Sequence, residues 1–357
     1  MSYGPQHITT QILSDLDEII ATSTSDLEEI VNKPLVITGA SGFVGTWLTL
    51  SWVAARKKLN GSGNLLITSR NPQSLLPLVN VIDSRSPITA LSSDIRNLHI
   101  PSEFRNGNLI HAATPASATL NLEDPLEMLN VIMEGQGKVL IEAKRMNSRV
   151  LFLSSGAIYG KQPLNQAQLP EDWNGGPSLT DTYSAYHEGK RIAELMGNIA
   201  VERAGVHVTT ARLFAFIAPF LPFGTHFAAG NFMRDALESS EIVIQSGGGS
   251  IRSYQYATDL CSSLWALAIR GNPGVAYNVG SDKEISIREL AEMVIRNVNP
   301  NAHALVKGTD TIENVSRYVP SVRKITDELN VKNYVNLEEA IRRTSLWSVQ
   351  SMEEKNK

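Results

Sequence analysis

The sequence predicts an α/β protein, in which a doubly wound and mostly parallel sheet is followed by a smaller, mixed α/β lobe. The first observation is an alternation: short apolar runs typical of buried strands are separated by longer stretches with helical spacing. Parallel strands require helical crossovers, so this alternation indicates a sheet covered by helices on both faces. The second observation is that the alternation stops after Phe214, where proline, glycine and aromatic residues become frequent. This change indicates where the second lobe begins.

The composition indicates a large folded protein and narrows the classes of partner. The 357 residues are 42% hydrophobic and 19% charged, which is enough apolar material for a sizeable core. The formal net charge is -4 and no basic block stands out, so we expect no nucleic-acid partner. The single cysteine, Cys261, excludes an internal disulfide and fits a reducing cytoplasm. It also offers no set of thiolates for a metal, and we expect no bound metal.

Residues 1–32 are predicted to form a helical extension. They have no basic start followed by an apolar stretch, so we do not interpret them as a signal peptide. No run in the chain approaches the roughly 18 apolar residues of a membrane span, and we expect no membrane partner. Apolar residues recur at helical spacing, at Ile12, Leu13, Leu16, Ile19 and Ile20. This amphipathic helix packs either on the following domain or on a partner subunit.

Residues 33–214 contain the strands predicted for the parallel sheet. These strands lie in PLVIT and at 64–70, 88–95, 108–114, 149–155 and 206–214. Helical stretches separate most of them, for example DPLEMLNVIMEGQGKVLIEAKR after the fourth strand. The alternation therefore assigns this region to one domain.

Residues 215–357 are predicted to form most of the second lobe. They begin with an irregular loop, IAPFLPFGTHFAAG, and continue with a helix around NFMRDALES, strands in IVIQSGGGS and VAYNVGS, and a helix in EISIRELAEMVIRNV. Some of these segments complete the first domain, so we expect the two units to be interleaved. The polar tail QSMEEKNK is predicted to be frayed.

A glycine-rich turn follows the first strand. The motif TGASGFVG sets three glycines three residues apart, directly after a strand and at the start of a helix. Glycine permits the sharp turn, the close approach of a diphosphate and the packing of helix on strand. Helix N-terminal amides bind phosphate, so the turn predicts a Rossmann-type NAD(P)-binding domain over 33–214. The residues of the turn predicted to bind the cofactor are Gly39, Ser41, Gly42, Phe43, Val44 and Gly45.

The end of the second strand bears on the choice between NAD and NADP. An acidic residue there accepts hydrogen bonds from the ribose hydroxyls of NAD, whereas an arginine pairs with the 2′-phosphate of NADP. This chain has Ser69, Arg70 and Asn71, with no acid. Arg70 therefore favours NADP, although an arginine that stacks on adenine is compatible with either cofactor.

Two further motifs place hydroxyl groups next to a lysine. SSGAIYG brings Ser155 to the end of the fifth strand, and YSAYHEGK sets Tyr186 four residues before Lys190, on one helix face. The ordinary pKa of a phenol is about 10, and the ammonium of Lys190, with the positive nicotinamide ring, is expected to lower it. Tyr186 then takes the proton of a hydroxyl that Ser155 orients, while the cofactor takes hydride from the same carbon. The alternative is that Tyr186 and Lys190 are ordinary surface residues.

With these motifs the chain resembles the extended short-chain dehydrogenases/reductases, in the branch of nucleotide-sugar epimerases and dehydratases. The matching segments span about 33–296 and are TGASGFVG, SSDI, HAATPAS, SSGAIYG, YHEGK, RSYQYATDL and YNVGS. Similarity to UDP-glucuronate decarboxylases is visible in HAATPAS and around RSYQY. The resemblance implies an NAD(P)-dependent enzyme that acts on a nucleotide sugar and pairs as a homodimer through helices of the Rossmann domain.

The resemblance also implies roles for individual residues. Asp94 and Ile95 flank the adenine of the cofactor. The catalytic set is Ser155, Tyr186 and Lys190, in which Lys190 also holds the nicotinamide ribose. The other implied residues are Ala112, Ala113 and Thr114, which line the cofactor, and Asn231 and Arg252, which grip the substrate diphosphate. A lobe-to-lobe salt bridge is the alternative role for Arg252.

The sequence departs from this family where some of its members carry acids. Decarboxylases and 4,6-dehydratases have acidic residues directly after the serine or threonine of the fifth strand, where this chain has Gly156 and Ala157. Eliminating water needs a base and an acid, and only Glu171, Asp172 or Asp181 in the following insert remain as replacements. Relatives also usually have an asparagine at Ala215 and a glycine at Ala218, which puts substrate contact from this loop in doubt.

The residue inventory therefore favours epimerisation of a nucleotide sugar, at C4, because serine, tyrosine, lysine and a cofactor suffice for it. A 4,6-dehydratase or decarboxylase with relocated acid and base residues is one alternative. An NADPH-consuming carbonyl reductase is a second, which Arg70 favours and Asn231 and Arg252 disfavour. A dinucleotide-sensing protein without activity is the third, against which the intact serine, tyrosine and lysine argue.

Overall fold

The computed structural model describes residues 3–114, 118–221, 228–311 and 314–355. The strands in chain order are β1 (Leu35–Thr38), β2 (Leu65–Ser69), β3 (Ile88–Ser92), β4 (Asn108–His111), β5 (Arg149–Ser155), β6 (Val208–Leu213), β7 (Glu241–Ile244), β8 (Ile251–Ser253), β9 (Ala276–Val279), β10 (Glu284–Ser286), β11 (His303–Val306) and β12 (Arg317–Tyr318). The α-helices are α1 (Thr10–Thr22), α2 (Thr24–Ile30), α3 (Phe43–Lys58), α4 (Leu76–Asp83), α5 (Ala118–Glu123), α6 (Pro125–Met146), α7 (Ala185–Ala204), α8 (Ala228–Glu238), α9 (Ala257–Arg270), α10 (Ile287–Val298), α11 (Arg323–Leu329) and α12 (Leu337–Lys355).

Seven parallel strands form the main sheet, in the order β3-β2-β1-β4-β5-β6-β9. β1 is central, and Leu35 is in register with Leu65 of β2 and Asn108 of β4. The direction in which strands are added reverses between β1 and β4, so the carboxyl ends of these two strands open a crevice. The predicted doubly wound α/β fold is confirmed, and β9 joins this sheet although it lies after the second lobe has begun.

The central strands of the sheet are buried on both faces because their side chains alternate between two apolar clusters. In β1, Leu35 and Ile37 belong to one cluster and Val36 to the other. The first cluster includes Trp47 of α3 and Trp265 of α9, and both side chains are fully buried. The second cluster is closed by α6 and α7.

The N-terminal extension packs on the following domain of the same chain. It forms two helices, α1 and α2, and the apolar face of α1 is buried at Ile12, Leu16 and Ile19. Asp15 of α1 is also buried, where it accepts hydrogen bonds from Tyr256 and Arg343. The predicted helix is therefore part of the first apolar cluster.

The C-terminal segment is more ordered than its polar composition predicts. α12 continues to Lys355, and Ser348 and Ser351 are buried against the rest of the protein. The Trp347 indole donates to the His7 carbonyl at 3.0 Å, and Gln350 Nε2 donates to Thr10 Oγ1 at 3.1 Å. Of the tail QSMEEKNK, predicted to be frayed, Gln350 and Ser351 are held by packing and by the bond to Thr10, so the prediction was wrong for these two residues, and 356–357 lie outside the described residues.

Two small sheets belong to the second half of the chain. One has the order β10-β8-β12, with Tyr318 of β12 in parallel register with Arg252 of β8. The other pairs β7 with β11. Of the loop predicted over 217–230, residues 222–227 lie outside the described residues, and α8 begins at Ala228. Among the helices of the described ranges, none combines the length and the apolar character that crossing a membrane requires.

Candidate active site

The glycine-rich turn lies between the end of β1 and the start of α3, at the crevice beside β4. Gly39 has a φ of 67°, and a Cβ there would lie 2.5 Å from the carbonyl oxygen of Ala112. A Cβ on Gly45 would lie 2.4 Å from the carbonyl oxygen of Gly39. Both positions therefore require glycine, because any side chain would separate the turn from β4 or from the helix.

The start of α3 leaves its first amides facing this crevice. Gly42 is the N-cap, and no side chain caps the helix there. The amides at the start of this 16-residue helix, which include those of Phe43 and Val44, are thus open to a ligand phosphate. Ser41 Oγ donates to Ser69 Oγ at 2.9 Å, which ties the turn to the end of β2. The residues present fit the diphosphate of a dinucleotide.

The ends of β2 and β3 carry the residues predicted near adenine. Arg70 is exposed at the end of β2, and its carbonyl accepts a hydrogen bond from Ser92 Oγ. Both oxygens of Asp94 accept hydrogen bonds from the guanidinium of Arg96, which holds the pKa of Asp94 below its usual range. Ile95 is nearly buried, and a Cβ on Gly135 of α6 would lie 2.9 Å from its Cγ2. The carboxylate of Asp94 is thus already engaged by its own chain.

The three predicted catalytic residues are brought to one place by β5 and α7. Ser155 ends β5, Tyr186 lies in the first turn of α7, and Lys190 follows one turn later. Lys190 Nζ donates to the Leu153 carbonyl at 2.6 Å and to Thr114 Oγ1 at 2.8 Å. One ammonium therefore fixes the catalytic helix to β5 and to the segment after β4.

Ala112 and Ala113 lie in the same segment, directly after β4. The amides of both residues donate to Thr38 of β1, one to its carbonyl and one to its hydroxyl. Thr38 Oγ1 also contacts the ring nitrogen Nδ1 of the buried His111 at 2.8 Å. Burial, with the charge of Lys190, lowers the pKa of His111 to about 3, so the imidazole is neutral. The segment predicted to line the cofactor is therefore held rigidly against β1.

The pKa values of Tyr186 and Lys190 differ from the expectation. Burial raises the pKa of the Tyr186 phenol, and a hydrogen-bonding interaction with Ser155 acts in the opposite direction. Burial also lowers the pKa of Lys190 to about 7, against the raising effect of Glu194. Lys190 directs its ammonium at Leu153 and Thr114, and a lysine with this pKa is partly neutral at neutral pH. The expected lowering of the pKa of Tyr186 by Lys190 is therefore not found; Ser155 is the side chain that opposes burial.

The space after Ser155 is filled by aromatic side chains. A Cβ on Gly156 would lie 2.5 Å from Cζ of Phe214 and 2.7 Å from the hydroxyl oxygen of Tyr318. The rings of Phe214 and Tyr318 pack at a centroid distance of 4.5 Å. No side chain fits at position 156 unless these rings move.

The acids considered as replacements lie in other surroundings. Glu171 accepts a hydrogen bond from the Asn278 amide, and burial raises its pKa. With Asp172 it lines a cavity of about 280 Å³ that also contains Arg212 and Lys324 but neither Ser155 nor Tyr186. Asp181 is exposed and accepts a hydrogen bond from the Tyr183 amide, just before α7. Glu171 and Asp172 are therefore not placed beside the predicted catalytic set.

The residues predicted to hold the substrate diphosphate come from α8 and β8. Asn231 lies in the first turn of α8. Arg252 donates to the carbonyls of Ile251 and Ser316 and to the Ser316 hydroxyl, and burial lowers the pKa of the guanidinium. Within the described ranges no carboxylate forms an ion pair with Arg252, so the alternative of a lobe-to-lobe salt bridge is not found.

Two residues of the site have no signal in the motifs. Asn121 of α5 donates to the Tyr183 carbonyl at 2.8 Å and accepts from the Tyr186 amide at 3.0 Å, so it holds the start of the catalytic helix. Tyr318 comes from a two-residue strand beyond the segments that resemble the family. Neither spacing nor residue type distinguishes them, because only the fold brings their segments to Ser155 and Tyr186.

Comparison with known proteins gives one family and several relatives. The model of the NAD dependent epimerase/dehydratase family matches residues 35–280. UDP-glucuronic acid decarboxylase 1 of Arabidopsis thaliana is 28% identical over 314 residues, which cover 87% of this chain and 68% of the relative.

Solved structures share the fold at lower identity. UDP-N-acetylglucosamine 4-epimerase from Methanobrevibacter ruminantium M1, in complex with UDP-N-acetylmuramic acid, superposes with a TM-score of 0.78 at 20% identity, over 90% of this chain and 99% of the other. dTDP-glucose 4,6-dehydratase from Bacillus anthracis, in complex with NAD, gives 0.75 at 17% identity, over 90% and 98%. These likenesses concern the fold.

Proposed function

Because this chain belongs to the NAD dependent epimerase/dehydratase family, we propose that it epimerises a nucleotide-diphosphate sugar at one ring carbon, C4. The family resemblance seen in the sequence is confirmed, and the chain is an NAD(P)-dependent enzyme of that family. Its relatives include decarboxylases, 4-epimerases and 4,6-dehydratases. The choice among these reactions therefore has to come from the residues of the site.

The cofactor in this proposal is held by the turn between β1 and α3. The amides at the start of α3 bind its diphosphate, the segment from Ala112 to Thr114 lines it, and Lys190 holds the nicotinamide ribose. Arg70 is exposed and no carboxylate ends β2, which supports NADP over NAD. When bound, the nicotinamide supplies reversible hydride acceptance and a positive charge near Tyr186.

The residues of the chain carry out the proton transfer. Tyr186 removes the proton from the substrate hydroxyl and later returns one to the same oxygen. Ser155 holds that oxygen and donates a hydrogen bond to it or to Tyr186. Lys190 keeps α7 at a fixed distance from β5 through its bonds to Leu153 and Thr114. Together, Ser155, Tyr186 and Lys190 move one proton, and the proposed reaction needs no further acid.

The filled space at Gly156 is the observation that carries the choice of epimerisation. Elimination of water requires a base and an acid at neighbouring carbons, and a decarboxylase of this family carries an acid after the serine. Here Phe214 and Tyr318 occupy the position of that side chain. Because no carboxylate of the described residues is hydrogen-bonded to Ser155, a reaction that needs only reversible proton and hydride transfer is favoured.

The surroundings of Arg252 support a nucleotide diphosphate as the part of the substrate that the protein binds. Its guanidinium is fixed by neutral acceptors on β8 and on Ser316, which leaves its charge for an anion. Arginine matches phosphate oxygens in geometry as well as charge. We further propose that residues 33–214 bind the cofactor and that 215–357, with Asn231 and Arg252, bind the substrate.

We also propose that the enzyme is a homodimer that pairs through α6 and α7. Apolar side chains on the outer faces of these helices are exposed by 51% to 71%, namely Leu126, Ile141, Leu195 and Ile199. These four side chains, the apolar strip of α6 and α7, are the surface proposed for pairing, because exposed apolar side chains on neighbouring helices are typical of a protein interface.

The reaction is tested with the purified chain, NAD or NADP, and a panel of UDP and dTDP sugars. We expect NMR to detect a C4 epimer without change of mass, and Tyr186→Phe to lower turnover by at least about 100-fold. Tyr183→Phe is the matched control, because Tyr183 lies just before the same helix and its side chain is exposed; the turnover of this variant should equal that of the parent.

The same assay separates the alternatives. A product lighter by water or carbon dioxide would mean a dehydratase or decarboxylase. Stoichiometric consumption of NADPH would mean a reductase, which the exposed Arg70 favours. Full turnover in Tyr186→Phe would contradict the proposed role of Tyr186 in proton transfer.

A further inference from the structure

Phe220 has a backbone conformation that its side chain disfavours. Its φ is 67°, in the left-handed region, where a bulky side chain crowds the backbone. A strained residue persists only where its surroundings fix it, and such residues are frequent at binding sites and clamps. Within the described ranges, the other non-glycine residues with a positive φ are all asparagines, which tolerate this region: Asn60, Asn106, Asn147 and Asn330.

The ring of Phe220 is held in place by two tryptophans. It is 1% exposed and packs against Trp47 of α3 and Trp347 of α12, at centroid distances of 5.8 Å and 5.1 Å. The Trp47 indole also donates to the Pro219 carbonyl at 3.0 Å, directly before the strained residue. The ring is therefore fixed by apolar packing, and the preceding peptide by a hydrogen bond.

Tyr3 of the N-terminal extension adds contacts to the same residue. Its hydroxyl donates to the Phe220 carbonyl at 3.0 Å, and its ring packs edge-on against the Phe220 ring at 5.0 Å. His7 packs against both Tyr3 and Trp347, at 5.1 Å and 6.0 Å. Burial raises the pKa of Tyr3 to about 12, so the phenol keeps the proton that it donates. Tyr3 thus connects the extension to the strained residue through both its ring and its hydroxyl.

The segment that leads to Phe220 is bonded to the stretch that follows Arg252. The Gln255 amide donates to the Ala215 carbonyl at 3.1 Å, and the Ile217 amide donates to the Gln255 carbonyl at 3.2 Å. Gln255 lies three residues after Arg252, the arginine proposed to bind the substrate diphosphate. A change in the backbone at Phe220 can therefore reach the substrate side of the site through two hydrogen bonds.

We propose that Tyr3 is a positioning residue for the substrate: by holding Phe220 in its strained conformation, it fixes residues 215–221 and, through Gln255, the stretch that presents Arg252. This inference rests on the proposed function, in which Arg252 binds a nucleotide diphosphate. Without the phenol, Phe220 relaxes towards a negative φ and the segment is no longer held in the binding geometry. Part of the binding free energy is then needed to restore that geometry, so the affinity for substrate falls while kcat changes little.

Tyr3→Phe is the first test, because it removes the hydroxyl and keeps the ring. From the usual strength of one hydrogen bond, we expect the Kd of UDP or dTDP, measured by calorimetry, and KM for the nucleotide sugar to rise by about 2- to 10-fold. The values of kcat and of Kd for NADP should remain those of the parent. Thr22→Val is the matched control, because Thr22 Oγ1 of the extension lies 2.9 Å from Ser262 Oγ, within hydrogen-bond distance. This variant should keep the nucleotide affinity of the parent.

Hydrogen exchange followed by mass spectrometry measures the segment itself, without substrate or turnover. The amides of Ile217 and Leu221 are hydrogen-bonded to the carbonyls of Gln255 and Ala218. In the Tyr3→Phe protein, exchange over residues 215–221 should be faster by at least about 3-fold. The same amides should exchange at the parental rate in the Thr22→Val protein.

Two replacements of Phe220 measure the strain. Phe220→Ala and Phe220→Gly both remove the ring, but only glycine adopts a positive φ without a penalty. Phe220→Gly should therefore unfold at a higher urea concentration than Phe220→Ala. Equal midpoints would contradict the strain and overturn the inference.

The outcomes for the inference and for the proposed function are distinguishable. Unchanged affinity for UDP and dTDP in Tyr3→Phe overturns the inference even if exchange is faster, because the segment then moves without affecting binding. Equal losses of affinity in Tyr3→Phe and Thr22→Val overturn it as well, since any loosening of the extension would suffice. A parent protein that binds neither UDP nor dTDP overturns the proposed function and the role of Arg252 instead.

Discussion

Ser155 shows how single residues decide which chemistry this site performs. The hydroxyl oxygen of Ser155 accepts a hydrogen bond from the amide of Ala157, and the residue after Ser155 is a glycine because the rings of Phe214 and Tyr318 fill the adjacent space. A close-packed interior has no room for an extra carboxylate at that point. In the proposed reaction, the restriction to proton and hydride exchange is therefore a consequence of packing as much as of Ser155, Tyr186 and Lys190.

Gly156→Asp tests this restriction. The new side chain would collide with Phe214 and Tyr318, so we expect a loss of about 1–3 kcal/mol in the free energy of unfolding. We also expect no dehydratase or decarboxylase product, because the carboxylate cannot reach a position beside Ser155. Denaturant unfolding and mass analysis of the product measure the two effects.

Gly137→Ala is the control for replacing a glycine. Gly137 lies inside α6, where a Cβ would only touch the flexible end of Met196 at 3.4 Å. Alanine there should leave the protein equally stable or more stable by up to about 1 kcal/mol. A stable Gly156→Asp protein that releases water or carbon dioxide from its substrate would contradict the role given to the aromatic pair.

At the level of elements, the N-terminal extension and α12 form one support for the Rossmann domain. Asp15 of α1 accepts hydrogen bonds from Gln11, Tyr256 and Arg343, and so connects α1, α9 and α12. The Trp47 indole of α3 donates to the Pro219 carbonyl, and Tyr3 donates to the Phe220 carbonyl. The extension therefore also contacts the segment that precedes α8, which carries part of the proposed substrate site.

The buried carboxyl of Asp15 predicts a pH dependence of stability. Burial raises its pKa to about 6 in the folded protein, from 3.8 in the unfolded chain. A raised pKa means that the folded state holds the proton more tightly, so this contribution to stability is complete below about pH 4 and is lost as the pH rises through about 6. The difference between the two pKa values corresponds to about 3 kcal/mol.

Asp15→Asn removes this titration. We expect the stability of the variant relative to the parent to increase by up to about 3 kcal/mol between pH ~4 and pH ~7, as measured by urea unfolding. Asp17→Asn, which changes an exposed residue of the same helix, should alter stability by less than about 1 kcal/mol. If the Asp15 variant and the parent keep a constant difference over this range, the buried carboxyl is not the source of the pH dependence.

At the scale of the whole molecule, the proposed dimer depends on the apolar strip of α6 and α7. Leu195→Glu places a charge in the centre of this strip, and a buried unpaired charge disfavours association. We expect sedimentation to show a shift from dimer to monomer, with the cofactor turn and the catalytic residues unaffected. Tyr334→Glu, at another exposed position outside α6 and α7, should leave the dimer intact. A parent protein that sediments as a monomer would refute the interface.

Local patterns were sufficient to predict the parallel sheet, the glycine turn and the positions of Ser155, Tyr186 and Lys190. Each depends on residues close together in the chain: strand runs, a turn that needs glycine at Gly39, and a tyrosine and lysine one helical turn apart. The order of the strands and the pairing of β9 with β6 were not available from spacing, because they are set by how distant segments pack.

The sequence by itself determined the fold class, the family and the chemical groups of the site, since these follow from short-range periodicity and from motifs that keep their residues in fixed order. Only the tertiary structure decided that the first helix packs on its own chain, that Asn121 holds the start of α7, and that Tyr318 packs on Phe214 beside Gly156. These contacts join segments far apart in the chain. Their physical origin is the burial of apolar surface by the complete molecule, which no local pattern encodes.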